Sequence, residues 1–294
     1  MLSEHILLVR PARFIYNAQT AVNNTFQKQG GADTPAKALR QFDAFVENLQ
    51  NHGIETTVLQ DTPMPHTPDS IFPNNWISFH GNGIACLYPM FALNRQAERK
   101  ALLLIKEKLQ IKNIIDFTGY EKENKFLEGT GSMVLDRQNQ VAYACLSPRT
   151  EAQVLGAFCK KMGYVPMTFR AADSGGKAIY HTNILMCVAA RYAVICLESI
   201  SPQDRGRITT SLTSTNKEII EISLSQMDNF AGNMLQVQNK EGKPFIVMSQ
   251  TAYKSLLPAQ IAALKKYNDI IYSDISVIET NGGGSARCMM AEVF

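Results

Sequence analysis

Apolar residues recur at three- and four-residue spacing in five places along the chain, the period of a helix with one buried face. One stretch, 35–52, sets Leu39, Phe42, Phe45, Val46 and Leu49 on one side and stops at Gly53. A second, 95–109, follows Asn94, and a third, 149–162, follows Ser147-Pro148 and stops at Gly163. The fourth opens at Ser201-Pro202 and is rich in Ser and Thr; the fifth opens at Pro258. Proline suits a first helical turn because its missing N–H has no intrahelical partner there. Each helix is followed by a short β-like run: 54–59, 113–117, 164–168, 218–222 and 270–273.

Between these units lie longer apolar stretches broken by a turn, which read as hairpins. They pair 75–80 with 84–88, 133–136 with 141–145, 183–188 with 192–197, and 233–237 with 245–248. A fifth has only one half in sequence, 287–294, and its partner is expected to be 6–9 at the other end of the chain. The hairpins start at Asn75, Ser132, Asn183, Asn233 and Ser285, roughly 50 to 57 residues apart, near the periods of repeat architectures. Five near-equal ββαβ-type units, the last closed by the N- and C-terminal strands, predict an α/β fold in which residues 1–294 form a single ring-shaped domain. The alternative is a generic α+β fold whose elements alternate without symmetry.

Composition narrows the partner. In 294 residues, Lys+Arg 29 against Asp+Glu 26 gives a net charge of +3 without long like-charge runs. That balance lacks the basic footprint of a nucleic-acid or anionic-membrane binder, so a small molecule is the expected partner. The apolar stretch near the N-terminus is too short for a signal segment or a membrane span, and a cytoplasmic protein is expected. The cysteines at 86, 145, 159, 187, 196 and 288 show no CxxC spacing, and the histidines at 5, 52, 66, 80 and 181 form no i, i+4 pair. Neither disulfides nor a metal site is expected, and the sequence leaves the oligomeric state open.

In a ring, the loops before the hairpins converge on the axis. These carry Asp69 with Asn74 and Asn75, Glu128 with Thr130, His181 with Asn183, Asp228 with Asn233, and Cys288 behind Gly282-Gly283-Gly284. A thiol, an imidazole and a carboxylate at equivalent repeat positions fit a cysteine nucleophile with an acid/base and its partner. Taken singly, each has a plainer reading: Cys288 as core, His181 as a structural histidine, Glu128 as a solvated loop acid, the asparagines as turn residues. Residues 17–34, rich in Asn, Gln, Thr and Gly, are either a lid over such a site or an ordinary surface loop.

Four segments carry a family likeness: Pro68-Asp69-Ser70-Ile71-Phe72-Pro73-Asn74-Asn75-Trp76, Leu127-Glu128-Gly129-Thr130-Gly131-Ser132, Tyr180-His181-Thr182-Asn183, and Gly282-Gly283-Gly284-Ser285-Ala286-Arg287-Cys288. In this order they resemble the guanidino-group-modifying enzymes, the pentein or amidinotransferase-like superfamily, whose fold is a fivefold pseudosymmetric α/β propeller. The combination looks most like the citrulline-utilisation hydrolases, with arginine deiminases and dimethylarginine hydrolases more distant. The resemblance implies a nucleophile at Cys288, a general acid/base at His181, and a carboxylate at Glu128 that either binds substrate nitrogens or orients His181. It also implies that Asp69 lines the substrate site and that Arg95 and Arg149 hold the amino-acid carboxylate, both at predicted helix starts. No cofactor is implied.

Asn75 and Asn183 stand where the deiminases and dimethylarginine hydrolases place acids; with Asn74 and Asn233 they complete the expected substrate contacts. An amide offers donor and acceptor, which suits a neutral ureido group better than an all-donor guanidinium. Hydrolysis of citrulline to ornithine, ammonia and carbon dioxide is the expected activity. The alternatives are an arginine deiminase, an amidinotransferase, or a non-catalytic ring that binds a partner.

Overall fold

The computed structural model describes residues 2–24 and 26–294. Among them, fifteen strands form five sheets of three strands each. In chain order the strands are β1 His5–Arg10, β2 Glu55–Gln60, β3 Ile77–His80, β4 Ile84–Leu87, β5 Asn113–Asp116, β6 Val134–Asp136, β7 Val141–Cys145 and β8 Val165–Phe169. The series continues with β9 Met186–Val188, β10 Tyr192–Ile195, β11 Glu218–Glu221, β12 Leu235–Gln238, β13 Pro244–Ser249, β14 Asp269–Ser273 and β15 Ala291–Val293.

Every sheet has one plan. A central strand pairs antiparallel with the strand before it and parallel with the strand after it, as β4 does with β3 and β5. The parallel neighbour is reached through a helix, because parallel strands need a crossover. The chain ends share the fifth sheet: β15 pairs antiparallel with β1, Ile6 opposite Glu292, and β1 runs parallel to β2. The molecule is the closed ring of five units that the repeat spacing predicted, and it has the fivefold pseudosymmetric α/β propeller form that the resemblance implied. The leading strands β15, β3, β6, β9 and β12 line the axis, with β15 against β3 and β9 against both β6 and β12.

The crossover helices show why the periodicity was readable. Thr34–Asn51 carries Pro35 in its first turn and buries Ala38, Phe42, Phe45, Val46 and Leu49. Ala152–Met162 ends where Gly163 takes φ +77° and its N–H reaches Cys159 O. Pro202–Ser214 buries only Ile208 and Leu212, which accounts for its weak apolar pattern. The predicted helix 95–109 is broken into a turn at Leu93–Gln96, a 3-10 segment Ala97–Ala101 and a helix Leu102–Lys108. Arg95 and Glu98 point inward from that broken stretch, and both are buried. No helix among the described residues is long and apolar enough to cross a membrane.

Candidate active site

Three of the repeats enter their leading strand through the same local device, a four-residue helical turn. Gly129–Ser132, Thr182–Leu185 and Ala286–Met289 precede β6, β9 and β15, and their N-caps are Glu128, His181 and Ser285. The cap positions of two turns therefore deliver a carboxylate and an imidazole, and the third turn carries the thiol as its third residue. Of the glycine run before Cys288, only Gly283 has positive φ, +63°, where it ends the helix Ser276–Gly282. The sequence places Cys288 before an apolar strand; the structure inserts this short turn between them.

His181 Nε2 lies 2.7 Å from Glu128 Oε2, and both side chains are buried. The other carboxylate oxygen accepts the Phe91 N–H at 3.0 Å, and Arg149 Nη1 stands 3.4 Å from Oε2. Burial alone pushes the Glu128 carboxyl up, but Arg149 and His181 together hold it well below the usual carboxylate range. Burial lowers His181 below its ordinary value against the opposing pull of Glu128. An ionised carboxylate is acceptor only, so the neutral imidazole carries its proton on Nε2 and leaves Nδ1 as an acceptor.

Around Cys288 Sγ, Asn233 Nδ2 approaches to 3.3 Å and Asn183 Nδ2 to 3.5 Å. Cys288, His181, Asp69, Asn75, Arg95, Arg149 and Tyr180 line one small cavity with Gly282, Gly283 and Gly284. Its volume is about 20 Å³, room for roughly one water. Residues 17–24 close it. Asn17 Nδ2 donates to Asp69 Oδ2 at 2.8 Å, and Thr20 Oγ1 lies 3.1 Å from the same oxygen. Arg149 donates to Thr20 O at 2.7 Å and to the Asn23 side chain, while Asn24 reaches Gly282 O at 3.3 Å.

Asp69 is buried, and burial raises its carboxyl despite Arg95, Asn17 and Thr20; its Oδ1 has no partner. Asn75 is held from one side only. Arg95 Nη1 donates to Asn75 Oδ1 at 2.7 Å, while Asn75 Nδ2 is buried without an acceptor. Gly131 makes the space there, since a β-carbon on it would fall 2.4 Å from Asn75 Nδ2 and 2.9 Å from His181 Nδ1. Asn74 faces the neighbouring repeat, with Nδ2 at 3.3 Å from Thr130 Oγ1.

Several expectations change. Each nitrogen of Arg95 already donates to the protein: Nε to Glu98 at 2.8 Å, Nη1 to Asn75, and Nη2 to Phe72 O at 3.0 Å and Glu98 at 3.1 Å. It lines the cavity with every guanidinium nitrogen already donating to protein acceptors, whereas the resemblance implied a grip on a substrate carboxylate. Arg149 does not begin a helix; it sits in the tight turn Ser147–Thr150, closed by the Thr150 N–H on Ser147 O at 3.0 Å, ahead of the N-cap Glu151, so no helix terminus adds to its grip. Asp228 is exposed and shares an outer crevice with Lys28, Asp173 and Phe230, away from the axis. Asn233 lies against the sulfur and is not among the cavity-lining residues. The sequence reading missed Tyr180, whose hydroxyl donates to Gly283 O at 2.8 Å and whose ring lies under Arg149. Its place immediately before His181 was the available signal.

The family described as N,N dimethylarginine dimethylhydrolase, eukaryotic, matches residues 10–294. The chain belongs to that family. Solved structures similar to this dimethylarginine dimethylhydrolase family member share its fold across nearly the whole chain. The product-bound N-terminal domain of ArgZ, an arginine dihydrolase from the ornithine-ammonia cycle in cyanobacteria, is 16% identical with a TM-score of 0.79, covering 99% of this chain and 97% of that one. Unliganded AgrE is 18% identical with a TM-score of 0.79, covering 99% of this chain and 39% of that one. A dimethylarginine dimethylaminohydrolase adduct with 4-chloro-2-hydroxymethylpyridine is 18% identical with a TM-score of 0.68, covering 99% and 100%. The chain spans 40% of the length of the apo ArgZ chain it also matches. No curated protein matches it.

Proposed function

We propose that the protein is a cysteine-dependent hydrolase of the ureido group of citrulline or a closely related amino acid. The observation that carries this reading is the fixed polarity of Asn75. Arg95 holds its oxygen, so the atom offered to the cavity side is a buried N–H donor lacking an acceptor. Asp69 Oδ1 is the matching unfilled acceptor. One donor and one acceptor complement a ureido group, which has a carbonyl oxygen beside its N–H groups. A guanidinium has only donors and would leave Asn75 Nδ2 facing another N–H. Failing to satisfy such a buried donor costs about 1–3 kcal/mol, roughly a 5- to 150-fold preference for the ureido substrate.

The chemistry follows from the same geometry. Cys288 Sγ attacks the ureido carbon, with Asn75, Asn183 or backbone N–H groups near the glycine run facing the charge that develops on oxygen. The proton taken from the thiol is held on His181 Nδ1 and passed to the nitrogen that departs, leaving a thiocarbamate on sulfur. His181, neutral again, takes a proton from water, and the hydroxide adds to the thiocarbamate carbon and expels the thiolate. The carbamate released yields carbon dioxide and the second nitrogen, so that one nitrogen leaves as ammonia and the other as the ornithine amine, and His181 returns its proton to the thiolate. Glu128, with both oxygens occupied by protein donors, serves as the partner that orients His181. The closed cavity cannot hold an amino acid, so residues 17–24 must move for substrate to enter, freeing Arg149 for its carboxylate.

Likeness to ArgZ favours arginine as a second reading, since that protein is an arginine dihydrolase and an asparagine-to-serine variant of it is covalently bound to a reaction intermediate. Purified protein incubated separately with L-citrulline, L-arginine and N,N-dimethylarginine, with ornithine, citrulline and ammonia quantified, decides between them. Ornithine from citrulline is expected. Faster turnover of either guanidino compound would sink the ureido reading. Asn75→Asp is expected to reduce citrulline kcat/KM by about 10- to 100-fold while narrowing the gap to arginine.

A further inference from the structure

Asn233 comes from the fourth repeat, whose leading loop supplies no acid or base to the cavity. The loop is pressed unusually close to its neighbour: a β-carbon on Gly232 would fall 2.3 Å from Ile184 O, and Phe230 takes φ +61° just before it. This approach brings a fully buried amide between three groups. Asn233 Oδ1 accepts the Arg287 N–H at 3.0 Å, Nδ2 donates to Asn183 O at 2.9 Å, and Nδ2 lies 3.3 Å from Cys288 Sγ.

The orientation of that amide is chemically determined. Turning it over would set its oxygen against the Asn183 carbonyl and its NH₂ against the Arg287 N–H, acceptor on acceptor and donor on donor. With Oδ1 on the backbone of the nucleophile's own turn, the two N–H hydrogens have two partners, a carbonyl and the sulfur. Asn183 Nδ2 adds a second, longer donor to the same sulfur.

We infer that Asn233 is a positioning residue for the Cys288 thiolate, aiming an amide N–H at the sulfur from behind while touching no substrate. This rests on Cys288 being the nucleophile, and it assigns the fourth repeat a part in the reaction. An anionic sulfur is stabilised by such a donor, and hydrogen bonds to charged groups are among the stronger ones. Asn233 also ties the Ala286–Met289 turn to the Thr182–Leu185 turn, holding sulfur and imidazole in register.

The test reads the sulfur directly, independent of turnover. The rate at which iodoacetamide alkylates Cys288, followed on its own peptide by mass spectrometry, is measured against pH for the wild type, Asn233→Asp and Asn233→Ser. Asn233→Asp keeps the shape but removes the donor and sets a carboxylate beside the sulfur. Its alkylation at neutral pH is expected to fall about 10- to 100-fold, with the pH profile moved to higher pH. Asn233→Ser, which keeps a single hydroxyl donor, should fall between and carries the same test if the aspartate variant does not fold. A folded variant of either kind that alkylates with the wild-type profile overturns the inference. Retained turnover in Cys288→Ser would instead remove the nucleophile assignment while leaving the alkylation result readable.

Discussion

Both ends of the ring axis carry polar side chains, yet they are finished differently: Glu128, Asp69 and His181 are buried at one, while Arg137 and Glu292 are partly exposed at the other. The leading strands start at the site and run to the far end, so Cys288, His181 and Asn75 lie before the strands, while His80, Asp136, Arg137 and Glu292 lie at or near their ends. At the far end the charges are paired. Arg137 meets Glu292 at 3.3 Å, Arg287 meets Glu292 at 3.1 Å and Met290 O at 2.7 Å, and Lys217 meets Asp136 at 3.1 Å. At the site end, Asp69 Oδ1, Asn74 Oδ1, Asn75 Nδ2 and Asn183 Oδ1 are buried with no partner. Buried polar atoms are ordinarily satisfied. The contrast teaches that polar atoms are paired with one another at the far end and left unpaired where Asp69, Asn75 and Asn183 meet, as the proposed substrate site requires.

The sharpest way to break that comparison is to change one residue at each end and read activity and stability separately. Cys288→Ser is expected to lower turnover by about 10⁴-fold or more with the thermal midpoint unchanged, measured by product formation and by calorimetry. Activity within tenfold of the wild type would remove Cys288 from the reaction. Glu292→Ala should do the reverse. It strands Arg137 and Arg287 without their counter-charge, a loss of about 3–5 kcal/mol of folding stability, while the folded fraction keeps its kcat. Urea unfolding checks it, and an unchanged midpoint would show that the far end does not hold the ring.

The same contrast marks what the sequence made legible. The fivefold register was readable because Pro, Gly and apolar spacing punctuate each unit, and Glu128, His181 and Cys288 stand out by equivalent position. Their four-residue turns were not readable, since so short a segment carries no period. Nor was the fate of Arg95 legible: which acceptors take its guanidinium depends on Glu98 turning inward and on Asn75 arriving from another loop. The broken helix between 93 and 108 is the same event seen in the backbone, because burying Arg95 and Glu98 overrides the apolar spacing that predicted one continuous helix. Asp228 was misplaced for the opposite reason: it lies on the outside of the loop whose other end carries Asn233. The contacts of residues 17–24 with Asp69 and Arg149 join chain segments far apart in sequence, where neither periodicity nor spacing has any purchase.

Titration separates the two ends most finely, because each holds a buried histidine. Burial, with Arg137 adding to it and Glu292 opposing, brings His80 down to about 3; burial lowers His181 as well. A histidine with a lowered folded-state value is protonated in the unfolded chain first. Its contribution to stability is therefore complete above the unfolded value near 6.5 and is lost as pH falls below it. For His80 the loss should reach about 2 kcal/mol by pH 5, seen as a falling urea midpoint. His80→Gln, which cannot take up that proton, should flatten the decline, although the variant starts from a lower plateau. On the proposed mechanism the acid limb of kcat/KM follows His181, which acts in its neutral form; its midpoint is expected below 6.5 and unmoved in His80→Gln. A stability profile as steep in His80→Gln as in the wild type would assign the acid sensitivity to the site end, and an acid limb that moved with His80 would mean that the two ends titrate as one.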